Sequence, residues 1–327
     1  MSHSSQGPDQ SSVTEAEFSL LRQRLLRWHR WGVQDEVGSL NLITPQLIAA
    51  AAQSVRDGTI VSLALPVGVK NAGAWRHRFE PEYWMLRSRD EIQADVASGN
   101  SGLSVSDDAL KFPLQSSTHW DALSHVFHDG EMYNGHTPDI LTPNGATVGS
   151  IVPAAGLMAG RGVLLDIAEL RGVPHLEIGD SIEADDLDLA CRTFGVEVNA
   201  GDFVIIRTGR LGLAVATSQW GPEWIGGPNA GLGFSTIDWL AHRDVAAVAC
   251  DNFSVEILPA QTAWFGQHAP LHSILTQSCG IHLGELWLLE DLHDKAKQTG
   301  RYEFFLVAAP MLVQGAVGAP CNPQAIF

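Results

Sequence analysis

The chain has 327 residues, 45% of them hydrophobic and 17% charged, which is enough to bury a large core and too apolar for disorder throughout. Its 37 acidic residues outnumber 20 basic ones for a formal charge of −17, and no Lys/Arg cluster stands out, so a nucleic-acid partner is not expected. Cys191, Cys250, Cys279 and Cys321 are scattered singly, which excludes a dense disulfide framework and C-x-x-C zinc knuckles and reads as reduced thiols.

Residues 1–14 are polar, lack the basic and apolar regions of a secretory signal, and read as a disordered tail ahead of a single domain over 15–327. A cytoplasmic location follows as the default. No apolar stretch reaches the ~20 residues that cross a bilayer, so no membrane partner is expected. Phe18, Leu21, Leu25 and Leu26 recur at helical spacing and predict a helix over 15–28. Trp28 and Trp31 beyond it are packing residues or the wall of a ligand site. Thr44 before Pro45 is a cap followed by a first-turn proline, opening a second helix over 45–55. From there short β-branched or apolar runs at 59–65, 162–167, 202–207, 245–250 and 302–307 read as strands. Candidate helices at 183–194, 236–242, 272–279 and 289–298 alternate with them, and the alternation predicts an α/β fold. Asp251 and Asn252, just after the 245–250 run, fit either a turn or a pocket rim at a strand end.

The chemistry concentrates in residues 115–128, where His119, Asp121, His125 and His128 fall within ten residues. If 118–122 is extended, period-2 alternation sends His119 and Asp121 to one face, close enough to share a cation. Imidazole nitrogen with carboxylate oxygen suits Zn²⁺ or Mn²⁺, although a His beside a carboxylate is also an ordinary hydrogen-bonded pair. Two ligands leave a metal too exposed, and the best downstream candidates are His272 and Glu285. Gly280 ends a short helix that starts at His272, and a strand then carries Glu285 back toward that start. The Thr118 hydroxyl or neighbouring backbone amides are candidates to hold an oxyanion.

The run Ser117-Thr118-His119-Trp120-Asp121-Ala122-Leu123-Ser124-His125, together with stretches at 31–44, 130–135, 201–209, 280–287 and 300–305, resembles the bacterial cyclase family. That family includes kynurenine formamidases, isatin hydrolases and a metal-dependent dienelactone hydrolase, and the resemblance covers nearly the whole chain. It implies a swivelling β/β/α domain, a homodimer or homotetramer, and metal ligands in an H-x-x-x-H-x-D motif. His119 and Asp121 match that motif. Its first position is Gln115 in this sequence, a weak carbonyl ligand at most, which favours one divalent ion, Zn or Mn, over two. The resemblance assigns the later ligands to His272 and Glu285 and the catalytic acid/base to His125; it gives His128 no role. The implied function is a hydrolase that opens a small cyclic amide, aryl formamide or lactone with a metal-activated water. The alternatives are a metal-dependent lyase or cyclase on a small carbonyl compound, and a non-catalytic small-molecule binding protein.

Overall fold

The computed structural model describes residues 13–68, 78–99, 102–220, 224, 227–261 and 269–327. Residues 1–12 of the expected tail lie outside them, whereas the last two belong to the folded domain. The Val13 N–H donates to Gln261 O at 2.8 Å, and Thr14 forms a capping box with Glu17 at the start of the helix Glu15–Arg24. That helix buries Phe18 and Leu21. It ends before residue 28 because the Arg27 N–H turns away to Ser278 O at 2.9 Å. The second helix, Pro45–Ala52, starts as its cap signal requires, with the Leu47 N–H donating to Thr44 Oγ1.

Among the described residues nine strands make one mixed sheet. In chain order they are β1 (Ile60–Ser62), β2 (His119–Asp121), β3 (Ala159–Asp166), β4 (Phe203–Arg207), β5 (Ala247–Cys250), β6 (His282–Glu285), β7 (Glu303–Val307), β8 (Gly318–Pro320) and β9 (Gln324–Ile326). Across the sheet the order is β1-β9-β7-β3-β4-β5-β6-β2-β8. Strands β3 to β6 are mutually parallel, and both flanks are antiparallel. The parallel centre explains the continuous apolar runs, because both of its faces are covered. Val163, Leu165, Val204, Ile206 and Val248 point into one core with the helices Ala184–Phe194 and Ser235–His242. Leu164, Phe203, Ile205, Ala247 and Ala249 point into the other, with Trp120, Trp287 and Phe304.

Each of the five expected strands and the helices 183–194, 236–242 and 289–298 is present within a few residues of its expected bounds. The 272–279 helix is a π-helix, His272–Ser278. An arm was not foreseen: Glu82–Arg87 pairs with Asp107–Lys111 around the helix Arg89–Ala97, which buries none of its residues. Its apolar residues lack the alternation that marks a half-buried strand.

Candidate metal centre

Register assembles the site. Strand β2 lies between β6 and β8, with Glu285 directly opposite His119 and Gly318 opposite Asp121. Trp120 points the other way into the second core, where it meets the Trp287 ring edge-on at 4.8 Å. Alternation therefore leaves His119, Asp121 and Glu285 on one face. His119 Nε2 is 3.5 Å from Asp121 Oδ1 and 3.6 Å from Glu285 Oε2. The π-helix presents His272, whose Nε2 lies 3.3 Å from Glu285 Oε1 and 4.0 Å from Asp121 Oδ2. Gly280 then turns the chain into β6 at φ 71°, and a Cβ there would stand 2.6 Å from the Tyr133 ring. The helix, glycine and strand follow the route expected from sequence.

The donor set fits a divalent ion. One ligand atom each from Asp121, His272 and Glu285 lies within 4.8 Å of the others. His119 Nε2 and both Asp121 oxygens are buried without a hydrogen-bond partner in the protein, an arrangement that native interiors avoid unless something else satisfies them. The backbone fixes which nitrogen His119 offers: Nδ1 donates to Ser117 O at 2.7 Å, leaving the Nε2 lone pair aimed at the group. His282 Nδ1 donates to Asp121 O at 2.8 Å and ties β6 to β2 at the carboxylate's own residue.

Electrostatics point the same way. Burial pushes the Asp121 carboxyl up, yet His125, His119 and His272 beside it hold it well below the usual carboxylate range. Burial disfavours a charge on His119 and His272, but the carboxylates overcome it. Asp121 and Glu285 raise His119, while Glu256 and Glu285 raise His272 well above an ordinary imidazole. A proton on either ring would compete with a metal for the same nitrogen, and the raised basicity strengthens that competition. Zn²⁺ affinity is therefore expected to rise with pH, by up to about tenfold per unit for each proton displaced. Chelator competition between pH 6 and 8 measures this, and a flat profile would contradict it.

His125 reaches the group from the short 3-10 turn Leu123–His125 after β2, with Nε2 3.7 Å from Asp121 Oδ1 and the side chain 28% exposed. Loss of solvation holds it below its ordinary value, with Asp121 pulling the other way and Arg78 adding to the fall. Gln115 stands at the margin. Its side-chain nitrogen is 2.8 Å, and Asp121 Oδ1 3.4 Å, from the position a Gly318 Cβ would occupy, so the missing side chain on β8 makes room for both. Thr118 is not an oxyanion donor, because its hydroxyl donates to Leu286 O and accepts from the Leu65 N–H. His128 is outside the group, packed 5.2 Å from the Phe18 ring and paired with Asp129.

Asp251 and Asn252 serve the turn. Asp251 accepts from Thr208 and Gly209, and the Asn252 side-chain oxygen from the N–H groups of Ser254 and Val255. Trp28 packs on Gly135 and donates to Gln277 O, and Arg30 stacks over Trp31. A second cluster, Asp166, Glu169 and His293, was not read from the sequence. Asp166 binds Arg207 at 3.0 Å and His293 Nδ1 at 2.7 Å, which makes it an ion-pair network. Sequence reasoning also missed Glu256, which accepts from His272 Nδ1 at 2.6 Å.

An α/β sheet that gathers imidazoles and carboxylates on one face between β2 and β6 defines a protein with the ligand set of a divalent-metal site. The Cyclase family model matches residues 61–257. A crystal structure of a novel cyclase is 34% identical with a TM-score of 0.84, the match covering 94% of this chain and 99% of that one. This chain belongs to the cyclase family. At 17% identity and TM-score 0.60, isatin hydrolase A from Ralstonia solanacearum shares the fold, over 86% of this chain and 95% of its own. A predicted metal-dependent hydrolase from Bacillus stearothermophilus does so at 18% identity and TM-score 0.51, over 83% of this chain and 98% of its own. No curated protein matches the chain. Among the described residues no helix is long and apolar enough to cross a membrane.

Proposed function

We propose that the chain is a metal-dependent hydrolase that opens a small cyclic amide, aryl formamide or lactone. One Zn²⁺ or Mn²⁺ would be held by His119, Asp121, His272 and Glu285, with Gln115 at most a weak further ligand. The reading rests on the buried, unpartnered His119 Nε2 and Asp121 oxygens facing Glu285 and His272. When bound, such an ion polarises a carbonyl and lowers the pKa of water toward ~7. The protein's own part is orientation and proton movement. The Ser117 carbonyl and the Glu256 carboxylate each hold the outer nitrogen of one His, so both rings offer Nε2 to the same point. Burial holds His125 below its ordinary value, which favours the neutral ring that can accept a proton from an attacking water. It then returns that proton to the leaving nitrogen or oxygen. The shared fold of isatin hydrolase A supports a cyclic amide within the substrate class.

The test is turnover of isatin, aryl formamides and lactones by the zinc- or manganese-loaded protein in ¹⁸O-water. Label in the acid product is the expected result. An unlabelled product formed by water loss or ring closure would replace hydrolysis with the lyase reading. Ligand binding by metal-free protein without any turnover would leave a binding protein.

A further inference from the structure

The turn after β5 carries a carboxylate that no metal ligand requires as a neighbour in sequence. Val255 sits at φ 58°, in the left-handed region that a β-branched residue rarely adopts. Surrounding contacts over-determine it. The Asn252 side chain accepts from the Val255 N–H at 2.7 Å and donates to Ala230 O at 2.8 Å, and the Ser254 hydroxyl donates to Glu256 O at 2.6 Å. The Leu232 N–H donates to Val255 O, and the Ile257 N–H to Leu232 O. Gly231 lies so close that a Cβ there would stand 2.4 Å from the Glu256 carbonyl carbon. The product of this construction is the placement of one side chain. Glu256 is 1% exposed; its Oε1 accepts from His272 Nδ1 at 2.6 Å and from the His272 N–H at 3.2 Å, and its Oε2 from the Leu271 N–H at 3.2 Å.

Resting on the metal reading above, we propose that Glu256 is a positioning residue of the metal centre. The strained turn 252–256 holds its carboxylate where it locks His272 with Nδ1 protonated and Nε2 free for the ion. Both Glu256 oxygens accept from backbone N–H groups, so the ring nitrogen facing Oε1 is the donor and the opposite one carries the lone pair. The two His ligands thereby differ. His119 leans on a backbone carbonyl and His272 on a side-chain carboxylate, so only His272 depends on a replaceable side chain for its orientation.

Zn²⁺ affinity measured by chelator competition on the full chain, for wild type, Glu256→Gln and Glu256→Asp, tests this. Long-range ¹H–¹⁵N spectra of the zinc-loaded wild type give the His272 tautomer directly. The expected results are an affinity loss of about 10- to 100-fold in Glu256→Gln, a loss also in the shorter Asp, and a protonated Nδ1 in the wild type. Wild-type affinity in both variants would overturn the role of Glu256 alone, whereas a zinc-loaded His272 protonated on Nε2 would overturn it and also take His272 Nε2 out of the ligand set. A wild type that binds no Zn²⁺ would overturn the metal reading, and this inference with it. The tautomer is read on unmodified protein, so a variant that fails to fold leaves that arm decisive.

Discussion

Asp121→Ala is expected to abolish stable metal binding and to lower kcat/KM by about 10³-fold or more. Among the described residues Asp121 is the one carboxylate within about 4 Å of three imidazoles, at 3.5 Å from His119 Nε2, 3.7 Å from His125 Nε2 and 4.0 Å from His272 Nε2. On the proposed reading its removal takes away one ligand and also the buried anion that balances charge among those rings. An ion acting as Lewis acid supplies several kcal/mol of transition-state stabilisation, and each 1.36 kcal/mol is a decade in rate, which gives the magnitude. Steady-state kinetics on the substrates of the hydrolysis panel, with circular dichroism to verify the fold, checks it. Activity within tenfold of wild type would take Asp121 out of the site.

His125→Ala is expected to do something different: to lower kcat by about 10²- to 10⁴-fold while the metal stays bound. Its Nε2 lies 3.7 Å from Asp121 Oδ1, and its side chain is more exposed than those of His119, Asp121, His272 and Glu285. Such a group is placed to exchange protons with substrate and solvent. Metal analysis beside kinetics separates the roles, because retained metal with lost turnover marks an acid/base, whereas parallel loss of both would make His125 a ligand. The variant should also lose the acidic limb of the pH–rate profile that comes from protonating a neutral imidazole.

That His119 and Asp121 share a face was legible because the geometry is local: two residues apart on a strand means the same face. That His272 and Glu285 come together was legible for a related reason, since the turn at Gly280 sends the strand back past the start of the helix. Glu256 left no such trace. It reaches His272 from a loop 16 residues upstream, through a backbone conformation at Val255 that β-branched residues disfavour, and neither fact has a sequence signature. Gly318 was equally silent, because its importance depends on lying opposite Asp121 across two strands far apart in the chain. Thr118 misled in the opposite sense: a hydroxyl beside His119 suggests chemistry, but here it satisfies the backbone of Leu65 and Leu286. The π-helix was read as an ordinary helix since nothing in its composition distinguishes the two.

Anomalous diffraction at the zinc edge, from crystals of zinc-loaded protein, tests the metal centre most directly. One peak is expected among His119 Nε2, Asp121, His272 Nε2 and Glu285, at about 2.0–2.2 Å from each ligand atom. A peak at Asp166, Glu169 and His293 instead, or none at the His119 group after loading, would contradict it.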